Sequence, residues 1–172
     1  MKKINRPNNS DAPSWCLYFF DLVKEDDLID ALGSTKESTL KLIDSIPPLK
    51  ENYSYAPGKW TLKTVFSHLN DCERYYAFYA MTYSRKDNIP IPNMSRDLFG
   101  ANDNSNSRTL KDIGEEYLFL REATIKLFGS MTDDMLDFKS SANDFVYTPR
   151  SLGWMIAGHN IHHLNLIREK YL

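Results

Sequence analysis

The stretch GHNIHHLNLI, residues 158–167, holds three of the chain's four histidines, and the fourth, His68, lies far upstream. On a helix each residue advances about 100°, so His159 and His163, four apart, point the same way, while His162 falls to the edge of their face. The same wheel places Leu152, Ile156, Leu166 and Ile167 on that face, which sets both imidazoles near the centre of an apolar stripe. An unpartnered buried polar group costs on the order of 1–3 kcal/mol, and one divalent ion would serve both rings together. With His68 from a facing helix, the set is three nitrogen ligands and one open position, the pattern of catalytic rather than closed structural zinc sites. Two arrangements compete: a hydrogen-bonded imidazole cluster that binds no metal, and ordinary structural histidines at helical spacing.

Other residues near these positions have chemistry of their own. Cys72 falls one turn after His68, and with Cys16 it completes a pair that lacks a CxxC spacing, so both read as free thiols. Glu73 lies on the opposite shoulder of its helix from His68, and Arg121 lies within the apolar stripe of a later helix. A buried ion pair between them is the structural expectation. Glu73 as a general base, or as the carboxylate orienting a ligand histidine, is the catalytic one. Trp60 is expected to pack over the end of the bundle, with substrate stacking as the alternative. Tyr75 and Tyr79 flank the His68 side, either as pocket lining or as core.

These residues need helices to position them. Asp26 to Ile46 carries apolar residues near helical spacing and ends at Pro47-Pro48. A second helix is expected from Leu62 to Tyr83 with Thr61 as N-cap, and a third from Arg108 to Phe128. The fourth starts at Thr148-Pro149, a hydroxyl cap followed by proline at the first helical position, and runs to the C-terminus. Between the second and third helices, residues 86–106 are rich in Pro, Asn, Asp and Ser and form a long connection. Four long helices with one long connection describe an all-α four-helix bundle.

Residues 1–25 read as an N-terminal tail and docking segment, loose over 1–13 and held by Trp15, Leu17, Tyr18 and Phe19. Residues 26–172 read as the bundle domain. Trp154 and Ile161 point away from the histidine stripe, which makes the last helix apolar on two sides. Such a helix is either buried all round or packed on a second subunit, so a homodimer is expected as one solution.

A net charge of −2 without clustered Lys and Arg excludes nucleic acid as a natural partner. No apolar run approaches the roughly 20 residues of a membrane span, and the basic opening has no apolar stretch behind it. Membrane association is therefore not expected, and a cytoplasmic location is.

The segments YAPGKWTLKTVFSHLNDCERYYAFYA (55–80) and TPRSLGWMIAGHNIHHLNLIREKYL (148–172), with LREATIKLFGSMTDDML between them, resemble the DinB/YfiT-like superfamily of small metal-binding four-helix bundles. The first carries the family's Gly-Lys-Trp and single-histidine helix, the second its terminal His-x-x-x-His. The likeness implies an up-down-down-up bundle with its crossover between the second and third helices. It also implies His68, His159 and His163 as ligands of a divalent ion, with zinc and nickel both compatible with imidazole. Relatives of this kind transfer low-molecular-weight thiols, isomerise, or are presumed hydrolases. The expectation is thus a metal-dependent thiol transferase or hydrolase acting on a small molecule, with a low-molecular-weight thiol as partner in the transferase case. A non-catalytic metal-binding or stress-response protein is the alternative.

Overall fold

The computed structural model describes residues 3–90, 92–141 and 145–172; Met1 and Lys2 of the expected tail, Ile91 of the crossover and 142–144 of the last connection lie outside them. Among the described residues there are seven α-helices: α1 (Leu17–Leu22), α2 (Leu28–Ser45), α3 (Leu62–Ser84), α4 (Arg96–Ala101), α5 (Leu110–Gly129), α6 (Asp133–Leu136) and α7 (Pro149–Lys170). The long ones, α2, α3, α5 and α7, form a four-helix bundle. Each starts at a side-chain cap that satisfies a backbone N–H otherwise left unpaired. Asp27 accepts from Ile29 N–H at 2.7 Å, Thr61 from Thr64 at 3.1 Å, and Thr109 from Asp112 at 3.1 Å. Thr148 and Ser151 cap each other's N–H reciprocally, both at 3.0 Å.

Around the bundle the helices follow the order α2, α5, α3, α7. Cross-helix contacts fix their directions. Lys63 donates to Arg108 O at 3.0 Å and Asn70 to Ile113 O at 3.2 Å, so α3 and α5 run side by side in the same direction. Thr39 lies against Asn160, and Leu28 against Gly153, so α2 and α7 also run together. The α3–α7 and α2–α5 pairs are antiparallel: Trp60 O meets the Tyr171 hydroxyl, and Ile29 and Ile43 face Gly129 and Gly114. After α3 the chain must therefore travel back along a 23-residue helix, roughly 34 Å at about 1.5 Å per residue, before α5 begins. That return is the irregular 85–109 segment. It is not structureless, since it contains α4, capped by Ser95, and a 3-10 turn at Ser105–Ser107.

The interior consists of two apolar clusters with a polar layer between them. Along α2 the inward residues pass from Leu32 through Thr35 and Thr39 to Leu42, and along α5 from Ile113 through Tyr117 and Arg121 to Phe128. Arg121 sits at the centre, 1% exposed. Its Nε and Nη2 donate to Glu73 at 2.7 and 2.8 Å, its Nη1 to Leu32 O at 3.1 Å and Thr35 Oγ1 at 2.6 Å, and Nη2 also reaches Asn160 Oδ1 at 3.3 Å. Tyr117 donates to the same Asn160 oxygen at 2.8 Å, and Asn160 donates to Thr39 at 3.1 Å. All four long helices thus contribute to one buried hydrogen-bonded network.

The N-terminal segment differs from the expected loose tail. Ile4 is 2% exposed; its N–H donates to the Asp27 carboxylate at 3.1 Å and its carbonyl accepts from Leu28 at 3.0 Å. Cys16, Phe20 and Val23 are buried in the main core, whereas Trp15 and Tyr18, expected to dock, are about half exposed. The reason is phase: Cys16 and Phe20 stand one turn apart on the side of α1 that faces the bundle, and Trp15 and Tyr18 fall off that side. This segment also covers the second apolar face of α7. Trp154 is fully buried, its indole N–H donates to Asn5 O at 3.0 Å, and the Arg6 guanidinium lies 5.2 Å from its ring. The surface that suggested a second subunit is met by the chain's own first residues.

Replacing Arg121 by Met leaves Glu73 charged, buried and unpaired. Urea unfolding of Arg121→Met is expected to show a loss of about 3–5 kcal/mol, with part of it regained when Glu73→Leu is added; a loss under about 1 kcal/mol would contradict the role assigned to the pair.

Candidate metal centre

Asn160 points into the polar layer, so its neighbours His159 and His163 turn toward the outer groove between α7 and α3. There they meet His68. The His68 ring centroid lies 5.2 Å from that of His159 and 5.1 Å from that of His163, and the latter two are 4.5 Å apart. Nε2 of His159 and Nε2 of His163 face each other at 3.1 Å. The three histidines expected from the sequence are therefore gathered in one place.

The structure adds a fourth donor. Cys72 Sγ lies 3.4 Å from Nε2 and 3.6 Å from Nδ1 of His68. One potential ligand atom each from His68, Cys72 and His159 lie within 4.8 Å of one another; His163 is outside that set of three but lies against it, its Nε2 3.1 Å from Nε2 of His159. Cys72 was legible only as a cysteine one turn from a histidine; its partnership with the α7 histidines needed the helix packing.

Burial dominates the electrostatics. It pushes His68 down to about 4, with the positive charge of Arg96 adding to the effect, and His163 down to about 3, with His68, His162 and Arg96 adding. Burial likewise holds His159 well below the ordinary imidazole value, and neighbouring histidines contribute. The rings are neutral near pH 7 and present lone pairs, the form that binds metal. Burial raises the Cys72 thiol. A cluster held only by hydrogen bonds can pair the two facing Nε2 atoms, yet Nδ1 of His163 is buried without a partner. Neutral, converging nitrogen donors with one orphaned ring atom fit a divalent cation better than a closed hydrogen-bonded set.

Glu73 turns to Arg121. Both its oxygens accept from Arg121, and among the described residues neither is bonded to an imidazole. The structural expectation for this residue describes its contacts; the expected orienting or base role has no contact to carry it, because α3 turns Glu73 into the bundle and His68 out of it.

The walls of the site come from outside the bundle. His162 lies at the margin of the cluster, its ring centroid 5.0 Å from that of His163, partly buried, with Nδ1 3.0 Å from the Tyr18 hydroxyl. The Phe19 ring lies 5.9 Å from His159 and 5.7 Å from His162. Trp60 lies over His68 at 4.9 Å between ring centroids, so it roofs the cluster as well as closing the bundle end. On one side of the histidines is a cavity of about 230 Å³ lined by Trp15, Tyr75, Tyr76, Phe145 and Tyr147, with Tyr76 6.4 Å from His159. On the other side a second cavity of about 230 Å³ reaches His163 beside Trp60 and α4. Tyr79 is core, whereas Tyr75 is pocket lining and donates to Pro92 O at 2.7 Å.

Comparison with known proteins agrees with this architecture. The family model described as the DinB superfamily matches residues 31–167. Among solved structures, YfiT from Bacillus subtilis, described as "a probable metal-dependent hydrolase with an unusual four-helix bundle topology", superimposes with a TM-score of 0.70 at 15% identity, covering 95% of this chain and 90% of that one. That likeness is one of fold. No curated protein matches significantly.

The α1 wall depends on one glycine. A Cβ at Gly158 would lie 2.1 Å from the Phe19 carbonyl oxygen, so α1 could not keep its place on α7. Gly158→Ala is expected to cost about 1–3 kcal/mol and to raise amide hydrogen exchange in 17–22 selectively; unchanged exchange there would refute the close-packing argument.

Proposed function

The chain belongs to the DinB superfamily, and we propose that it is a metal-dependent enzyme acting on a small molecule, a hydrolase or a thiol transferase. One observation carries the reading: three neutral imidazoles from two antiparallel helices, two buried and that of His159 partly so, converge in a groove flanked by cavities, with ring centroids 4.5 to 5.2 Å apart. His68, His159 and His163 would hold the ion, and zinc or nickel suits imidazole donors. The description of YfiT as a probable metal-dependent hydrolase supports the same reading.

When bound, such an ion supplies Lewis acidity, polarising a carbonyl or lowering the pKa of a water or thiol. The chain's own residues prepare the place. His159 and His163, fixed by the rotation of α7, present their lone pairs without first losing a proton. Phe19 and Trp60 exclude bulk water from two sides, which strengthens electrostatic interactions within. The aromatic cavity beside Tyr76 offers an apolar body of substrate a dry surface.

A specific observation favours a second reading. Cys72 lies close enough to His68 and His159 to serve as a further ligand. With it the site would be a closed four-donor one, and the protein a non-catalytic metal binder.

Elemental analysis of tag-free protein tests both. The wild type is expected to hold one equivalent of metal, His68→Ala and His159→Ala to lose at least about ninety percent of it, consistent with removal of a direct ligand, and His162→Ala to keep it. Metal retained in both of the first two variants refutes the ligand assignment. Cys72→Ser that keeps its metal supports the open, catalytic site; loss of metal there favours the closed one.

A further inference from the structure

We propose that the cavity beside His163 binds the carboxylate of a small anionic substrate, with Arg96 and Lys59 recognising the charge and the Trp60 indole forming the wall for the substrate's body. This names a substrate class for the site and rests on its reading as a metal centre. The cavity, about 230 Å³, lies where the loop before α3, the end of α7 and α4 converge. Its lining includes Lys59, Trp60, Arg96, Asp97, His162 and His163. A molecule seated there reaches a member of the histidine cluster directly.

The charges in this lining are unbalanced. Among the described residues the Arg96 guanidinium forms an ion pair only with its neighbour Asp97, at 3.1 Å, and both side chains are largely exposed. Pairs of that kind contribute little and are readily exchanged for a better partner. Lys59 has no ion-pair partner among the described residues. Two cations thus face one carboxylate, and the cluster itself offers no compensation: imidazoles carry no negative charge, and Glu73 is already held by Arg121. A divalent ion at the histidines would deepen the positive potential. The other cavity, lined by Trp15, Tyr75, Tyr76 and Tyr147, has no charged side chain in its lining among the described residues.

The cation is also held in place. Arg96 stands 5.6 Å from the Trp60 ring centre, and that indole stands over His68. A Cβ at Gly100 would come within 2.5 Å of the indole, so α4 sits directly on Trp60 and keeps Arg96 at the cavity rim. A planar guanidinium fork matches a carboxylate with two parallel hydrogen bonds.

The test uses benzoate and its neutral isostere benzamide in calorimetric titrations of the full-length, metal-reconstituted protein, with metal content measured on the same samples. Benzoate is expected to bind at least about tenfold more tightly than benzamide, as for a charge-selective site, and to shift the indole N–H resonance of Trp60, assigned with Trp60→Phe. Arg96→Gln and Lys59→Gln, both at exposed positions, should each weaken benzoate at least about fivefold, as loss of a charged partner would, without changing benzamide binding or metal content. Equal binding of the two probes, no binding of benzoate to protein with full metal content, or benzoate binding untouched by both substitutions would overturn the proposal. Arg96-dependent benzoate binding by protein that retains no metal would support the anion site and count against the metal reading instead.

Discussion

The guanidinium of Arg121 is the fixed point of this molecule. It is buried at the centre of the bundle, hydrogen-bonded on all sides and lying 5.0 Å from the Tyr117 ring centre, and a charge in such a place is tolerated only when fully paired. The pairing requires Glu73 from α3, Thr35 and the Leu32 carbonyl from α2, and Asn160 from α7. Apolar packing alone tolerates a helix sliding or rotating by a fraction of a turn. Directional hydrogen bonds do not, so this layer sets the rotation of each long helix. The consequence for the site is immediate, because Asn160 sits between His159 and His163, and Cys72 precedes Glu73. Directing Asn160 and Glu73 inward obliges the histidines and the thiol to face the α3–α7 groove.

Topology supplies the rest of the site. Because α3 and α5 are parallel, the chain has to return along the bundle between them, and the return path passes the groove that the histidines face. It brings α4, Gly100 and Arg96 against Trp60. The N-terminal segment closes the other flank with Tyr18 and Phe19. The bundle therefore provides the donors, and segments outside it provide the walls. Donors on rigid helices and walls on shorter segments permit access to change while the donor geometry stays fixed.

Much of this was legible in the sequence wherever one local signal decides the outcome. Thr61 and Thr148 cap their helices because a hydroxyl followed by helix formers has few alternatives. The pairing of His159 with His163, and the separation of His162, follow from helical period alone. Ile4 was not legible: a single apolar residue among polar ones is buried only because Asp27 captures its N–H and Leu28 its carbonyl. Tyr18 meeting His162, and Arg96 meeting Trp60, are contacts between distant segments without a periodic pattern. Cys72 lay between these cases, since its distance from His68 is local while its distance from His159 depends on how α3 and α7 pack.

The balance between an open and a closed four-donor site at this centre turns on the proton of Cys72. Burial raises the thiol and also lowers the three imidazoles, so the same desolvation that readies the histidines as ligands keeps the sulfur protonated. A thiol must lose its proton to become a strong ligand. Only a nearby positive charge can offset the cost of a buried thiolate, and it must do so in competition with any anion that enters from the solvent side. Arg96 and Lys59 at the rim favour such an entering anion, while the shared α3 backbone favours the cysteine by proximity to His68. An entering carboxylate is already ionised at neutral pH, whereas the sulfur becomes a ligand only by giving up its proton, so the contest between them turns on whether a bound cation draws that proton away.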